Sequence, residues 1–178
     1  EMTAKNLPVA GIEWAEAALF CNELSKIEGR DTCYIFNGGT VEFDTSSAGW
    51  RLPTEAEWEY LCRGGSDGDF AGPGNPDEMG WYSANSGYRA QPVAEKSANA
   101  WGIHDMHGNL WEWCWDYYSA DYYEQSAPID PLGPESGSRR VLRGGSYADG
   151  LALMRSANRR ANDIPKEHCG IRIVRFTD

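Results

Sequence analysis

The chain is short of positive charge. Sixteen Lys and Arg stand against 27 Asp and Glu, so the net charge is −11 at pH 7. A nucleic-acid binder neutralises phosphates with a basic footprint. Only Arg139, Arg140 and Arg143 cluster, so nucleic acid is not an expected partner and a solvated acidic surface is. No apolar run approaches the roughly 20 residues of a membrane span. No signal-peptide pattern opens the chain, which is therefore expected to be mature or trimmed. A CxxC pair is missing as well: Cys21, Cys33, Cys62, Cys114 and Cys169 are an odd set without zinc or redox spacing. The three histidines, His104, His107 and His168, form no two-His set on one helix, and a structural hydrogen bond is expected of each. Internal repeats and low-complexity linkers are absent too.

What is abundant is aromatic. Eight Trp, nine Tyr and five Phe let a loop-rich chain close a core, and 20 Gly with nine Pro imply many turns. One α+β domain over residues 1–178 is expected. Residues 12–27 carry Trp14, Ala17, Ala18, Cys21 and Leu24 at helical spacing, with Gly29 as the stop. Tyr34-Ile35-Phe36 and Val41-Glu42-Phe43 flank Asn37-Gly38-Gly39, a hairpin pattern. Thr54 and Glu57 form a capping box ahead of a helix whose stripe is Trp58, Leu61 and Cys62, ended by Gly64-Gly65. Trp111, Trp113 and Trp115 alternate at period two, a strand with one aromatic face turned to the core. Val141–Arg143 and Ile171–Val174 are further expected strands. Tyr117, Tyr118, Tyr122 and Tyr123 follow the Trp strand in an expected exposed loop.

The last forty or so residues set a frame around irregular filling. The frame is Arg140–Ser146, Arg155–Arg159, Pro165 and Gly170–Val174; the filling, Tyr147–Met154 and Arg160–Cys169, follows no helical or strand period. Loops on a rigid scaffold carry binding and catalysis, so residues 140–174 are the candidate functional region.

Several segments together resemble the sulfatase-modifying-factor family, whose formylglycine-generating enzymes have a variant of the C-type lectin fold. They are Trp14–Ala17, Cys21-Asn22, Arg51–Glu59, Asn99–Gly102, Asp105–Trp113, Arg143–Ser146 and Gly170–Arg172. The match spans nearly the whole chain. The family's opening strand region is not recognisable, so further sequence is expected ahead of residue 1. The frame-and-filling pattern also resembles the variable proteins of diversity-generating retroelements, which use this fold.

The resemblance implies two things about sites. The family's oxidising enzymes place two cysteines after Gly-Gly-Ser, where thiolates bind copper and attack a substrate thiol. The corresponding positions here are Asp149 and Met154. Neither is a thiol nucleophile, so the chain is expected not to be an enzyme; a divergent oxidoreductase acting on a cysteine substrate is the alternative. The family's calcium pattern falls on the Asp105 and Glu112 carboxylates and the Gly108 and Leu110 carbonyls. Oxygen-only ligands on a tight turn suit one structural Ca²⁺. The competing reading is Glu112 buried against an arginine, with Asp105 making an Asx-turn.

The expected ligand face is Tyr147, Ala148, Asp149, Gly150, Ala152, Leu153, Arg160, Ala161, Asp163, Ile164, Glu167 and His168. Arg143, Arg155, Asn158, Arg159 and Arg172 are expected to hold its loops. A shallow mixed surface suits a protein or other macromolecular ligand better than a small molecule. From the resemblance, the chain is expected at the cell surface or outside the cell, with any membrane anchor in preceding sequence.

Overall fold

The computed structural model describes residues 6–72, 75–161 and 164–176. Helix α1 (Trp14–Ile27) starts at a reciprocal cap, in which the Glu13 amide donates to Glu16 Oε2 at 2.7 Å. Its buried face is Ala17, Ala18 and Cys21, joined by Asn22 and Ser25. Small residues there let the next strand approach closely. Asn22 bonds the Tyr34 backbone from both sides, donating to its carbonyl at 2.7 Å and accepting from its amide at 3.1 Å.

Strands β1 (Tyr34–Asn37) and β2 (Thr40–Phe43) pair antiparallel. Gly38 and Gly39, with φ of 54° and 101°, supply the two left-handed residues of the tight turn between them. Helix α2 (Glu55–Arg63) begins where expected: Thr54 accepts from the Glu57 amide, and Glu57 returns the bond to the Thr54 amide at 2.8 Å. At its far end Asn99 Nδ2 donates to the Leu61 and Cys62 carbonyls at 2.6 and 3.1 Å, satisfying groups the helix leaves open. A short α3 (Pro76–Met79) leads into β3 (Gly80–Trp81), which pairs parallel with β4 (His107–Gly108).

The central sheet runs β7-β6-β5-β8, where β5 is Trp111–Tyr117, β6 is Arg140–Arg143, β7 is Arg159–Ala161 and β8 is Cys169–Gly170. β5 lies antiparallel to β6 and parallel to β8. Trp111 and Trp113 point into one core with Ala17, Ala18, Cys21, Tyr34, Leu52 and Leu142, as the alternation implied. Trp115 stacks on Tyr34, ring centres 5.3 Å apart. The opposite face of β5 is buried too: Cys114 joins Trp58, Cys62, Met106 and Val141 in a second core under α2.

Two expectations fail here. Residues 171–174 form no strand; only Val174 pairs, with Arg51, through bonds of 2.9 and 2.8 Å. Parallel pairing with β5 stops at Glu112, and farther along β5 the Trp115 amide is taken by the Pro53 carbonyl. Conversely, Arg159–Ala161, where irregular filling was expected from Arg160, is an edge strand on β6. Three residues are too few to show a period. No helix among the described residues is long and apolar enough to cross a membrane.

Candidate functional site

The C-terminal loops are built around Arg143. It is fully buried on β6, and its guanidinium donates to the Ser156 carbonyl at 3.0 Å, to the Asn158 carbonyl and to Glu59 Oε2, with Glu55 3.5 Å from its Nε. One side chain thus ties residues 156–158 to α2. Arg159 forks onto Glu55 and also donates to the Ser119 carbonyl at 3.1 Å. Asn158 Nδ2 holds the Leu153 carbonyl at 2.9 Å, at the end of a 3-10 turn over Leu151–Met154. Arg155 is exposed; its Nε donates to the Ala152 carbonyl at 3.3 Å, and its pairing with the more exposed Asp69, at 3.8 Å, contributes little.

Asp149 is the first correction to the expected ligand face. Its Oδ2 accepts from Trp111 Nε1 at 2.8 Å, the Ser146 amide at 2.9 Å and the Ser146 hydroxyl at 2.6 Å. The carboxylate is turned inward to pin its own turn to the Trp strand, so it is not a free contact group. Ala161 is the second: it is buried on β7 opposite Val141. Asp163 lies outside the described residues. Leu153 and Ile164 are half-buried against the first core. Gly150, Ala152 and Glu167 are exposed, and Tyr147, Ala148, Arg160 and His168 half-buried. The Tyr147 and His168 rings meet edge-on at 4.9 Å, joining the loop after β6 to the 3-10 turn Lys166–His168. The expected exposed tyrosine loop holds only in part. Tyr117 lies 3.6 Å from the Arg140 guanidinium, and Tyr118 and Tyr123 lie about 5 Å from that of Arg159. Tyr117 and Tyr118 are half-buried against the frame, whereas Tyr123 remains 42% exposed, as expected.

Met154 is fully buried, and its carbonyl accepts from His107 Nδ1 at 2.7 Å. His107 Nε2 in turn accepts from the Ala71 amide at 3.1 Å, so the ring is neutral, and burial lowers its pKa further. Burial pushes the Cys21, Cys62 and Cys169 thiols up to about 12 and Cys114 well above its ordinary value. Such thiols stay protonated and inert.

Asp105, Gly108, Leu110 and Glu112 do come together, around one cavity of about 400 Å³ that Arg172 also lines. Gly108 is required there: its φ is +83°, and a Cβ would sit 2.1 Å from the Trp81 carbonyl oxygen. Arg172 forks onto both Glu112 oxygens at 2.9 and 2.8 Å, and Trp58 Nε1 donates to the same carboxylate at 2.7 Å. Asp105 Oδ2 accepts from the Ala94 amide at 2.8 Å. The donor types suit a hard cation, but Glu112 is already balanced by Arg172, whose charge Asp105 also feels. Among the described residues no group of three or more His, Cys, Asp or Glu converges for a metal.

Sequence reasoning missed the wall beside the loops, residues 82–91. The Ser83 amide donates to the Asp149 carbonyl at 3.0 Å, and the buried Ser86 hydroxyl to the Tyr147 carbonyl at 2.7 Å. The segment has no periodic pattern to reveal it; polar side chains bonded to backbone hold it, such as the Asn109 amide group, which accepts from the Gln91 N–H and donates to the Gln91 carbonyl.

Among solved structures, Treponema denticola variable protein 1 superposes with a TM-score of 0.88 at 33% identity, over 96% of this chain and 72% of that one. A formylglycine-generating enzyme of Streptomyces coelicolor is 44% identical over 115 residues, 56% of this chain and 37% of that protein. The chaperone protein LppX of Paenibacillus barcinonensis is 30% identical over 179 residues, 81% of this chain and 60% of that one. The chain thus spans about two fifths to three fifths of these two relatives' lengths. The model of the sulfatase-modifying factor enzyme 1-like domain matches residues 1–177, and the chain belongs to that family.

Proposed function

We propose that the chain is a non-catalytic binding domain that presents its C-terminal loops to a protein or other macromolecular ligand at the cell surface or outside the cell. The observation that carries this is the state of residues 149 and 154. Where an oxidising site would need two accessible thiols, Asp149 is bonded to Trp111 and Ser146, and Met154 is sealed in the core. Function follows the site rather than the fold. The likeness to a variable protein supports the same reading. Around that fixed centre, Tyr147, Ala148, Gly150, Ala152, Arg160, Glu167 and His168 offer an aromatic, cationic and anionic mixture suited to a macromolecular surface. Asp105, Gly108, Leu110 and Glu112 would hold a weakly bound structural Ca²⁺.

The test is incubation of the purified protein with a sulfatase-type cysteine peptide, copper and oxygen. No aldehyde is expected. Conversion of the peptide cysteine to formylglycine would establish the divergent oxidoreductase instead. Near the coding sequence, a reverse transcriptase gene and a near-copy of the 3′ segment differing at adenines are expected.

A further inference from the structure

Tyr88 is the most exposed large aromatic bordering the C-terminal loops. Its side chain is 70% exposed and its φ is +55°, a left-handed conformation that disfavours a bulky residue. Its surroundings hold it there. The Ser86 hydroxyl accepts from the Tyr88 amide at 3.1 Å while donating to the Tyr147 carbonyl, so one buried oxygen bridges the two tyrosine backbones. Gln91 Nε2 donates to the Ser86 carbonyl at 2.6 Å, and the Gln91 backbone is clamped at both ends by the Asn109 amide group. Arg89 beside it is exposed and makes no ion pair among the described residues. An exposed aromatic held in an unfavourable conformation contributes no core packing. A Tyr on a fixed backbone beside an Arg without an ion pair among the described residues is instead the composition of an interface anchor whose backbone ordering cost is met before binding.

Resting on the binding role above, we propose that Tyr88 and Arg89 form a fixed shoulder of the ligand face. They contact protein ligands whatever side chains fill the neighbouring loops. The exchangeable residues then select the ligand, and the shoulder supplies part of the affinity in every case.

The experiment is a display library of the whole chain, with Tyr147, Ala152, Glu167 and His168 randomised, selected on immobilised egg-white lysozyme. Binders are expected, and Tyr88→Gly should weaken Kd at least about tenfold in most of them, with a smaller loss for Arg89→Ala. Tyr60→Ala, at an equally exposed tyrosine on α2, should stay within about twofold. Tyr88→Gly should melt no lower than its parent, because glycine relieves the strained backbone. Tyr88→Asn, whose side chain tolerates this conformation, repeats the affinity test. Binders whose Kd is unchanged by both Tyr88 variants overturn the shoulder and leave the binding role standing. A library that yields no binder sinks the binding role, and the shoulder with it.

Discussion

Glu55 takes the Arg159 guanidinium on both carboxylate oxygens, at 2.6 and 2.7 Å, across 104 residues of sequence. Glu55 is 1% exposed, and the fully buried Arg143 stands beside it. The pair fastens β7, the edge of the sheet, to the start of α2. Removing the carboxylate leaves guanidinium charge buried without its counter-ion, a loss of about 3–5 kcal/mol. Glu55→Ala is therefore expected to lower the unfolding free energy by that order in urea titration. A change under about 1 kcal/mol would show that the frame does not depend on this link.

The loops should separate into two classes by stability. Ala152→Ser and Glu167→Gln alter exposed side chains and should shift stability by no more than about 0.5 kcal/mol. Asp149→Ala, three residues from Ala152, removes the acceptor shared by Trp111 Nε1 and the Ser146 amide and hydroxyl. Leaving those donors unpaired should cost about 3 kcal/mol. Thermal melts of the three variants decide it: equal shifts would return Asp149 to the exposed ligand face.

That contrast shows where sequence is legible and where it stops. Caps and turns are local, so Thr54 with Glu57 and the Gly38-Gly39 turn announce themselves within a few residues. The Trp111–Trp115 alternation likewise records a buried face directly. Family motifs marked Asp149 as the residue replacing a thiol, but its partner Trp111 is 38 residues away, and no local pattern links them. The wall at 82–91 was invisible for the same reason: Ser86 reaches Tyr147 across 61 residues. β7 is too short for periodicity, and residues 171–174 carry strand-like alternation but no continuing ladder.

Calcium should matter only mildly. With Arg172 balancing Glu112, the cavity at Asp105 is expected to hold Ca²⁺ in the range of roughly 10⁻⁴–10⁻³ M. At tenfold excess over Kd, Ca²⁺ stabilises by about 1.4 kcal/mol, a melting shift of a few degrees that a chelator reverses. Asp105→Asn should abolish the shift. Calorimetry with no response up to millimolar Ca²⁺ would remove the metal, leaving Arg172 as the only cation facing Glu112 among the described residues.

Asp116 should make stability fall as pH rises. Burial pushes its carboxyl up from 3.8 to about 7 against the lowering effect of the Glu55 amide, which donates to Oδ2 at 2.6 Å; the nearby Glu55 charge adds to the rise. Its Oδ1 is buried without a partner among the described residues, and Gly133 packs against it so closely that a Cβ there would lie 2.8 Å away. A group whose folded pKa exceeds its unfolded value binds protons preferentially in the folded state. Its contribution is complete below about pH 4, is lost progressively up to about pH 7, and is flat above. Asp116→Asn keeps an acceptor for the Glu55 amide and carries no charge at any pH. The variant's stability relative to the parent should therefore climb between pH 4 and 7, by up to about 4 kcal/mol. The slope is the decisive quantity, because a constant offset would reflect only the altered packing of the amide. Parallel curves across that window would mean that Asp116 titrates in the ordinary carboxylate range and that its site is wetter than its burial implies.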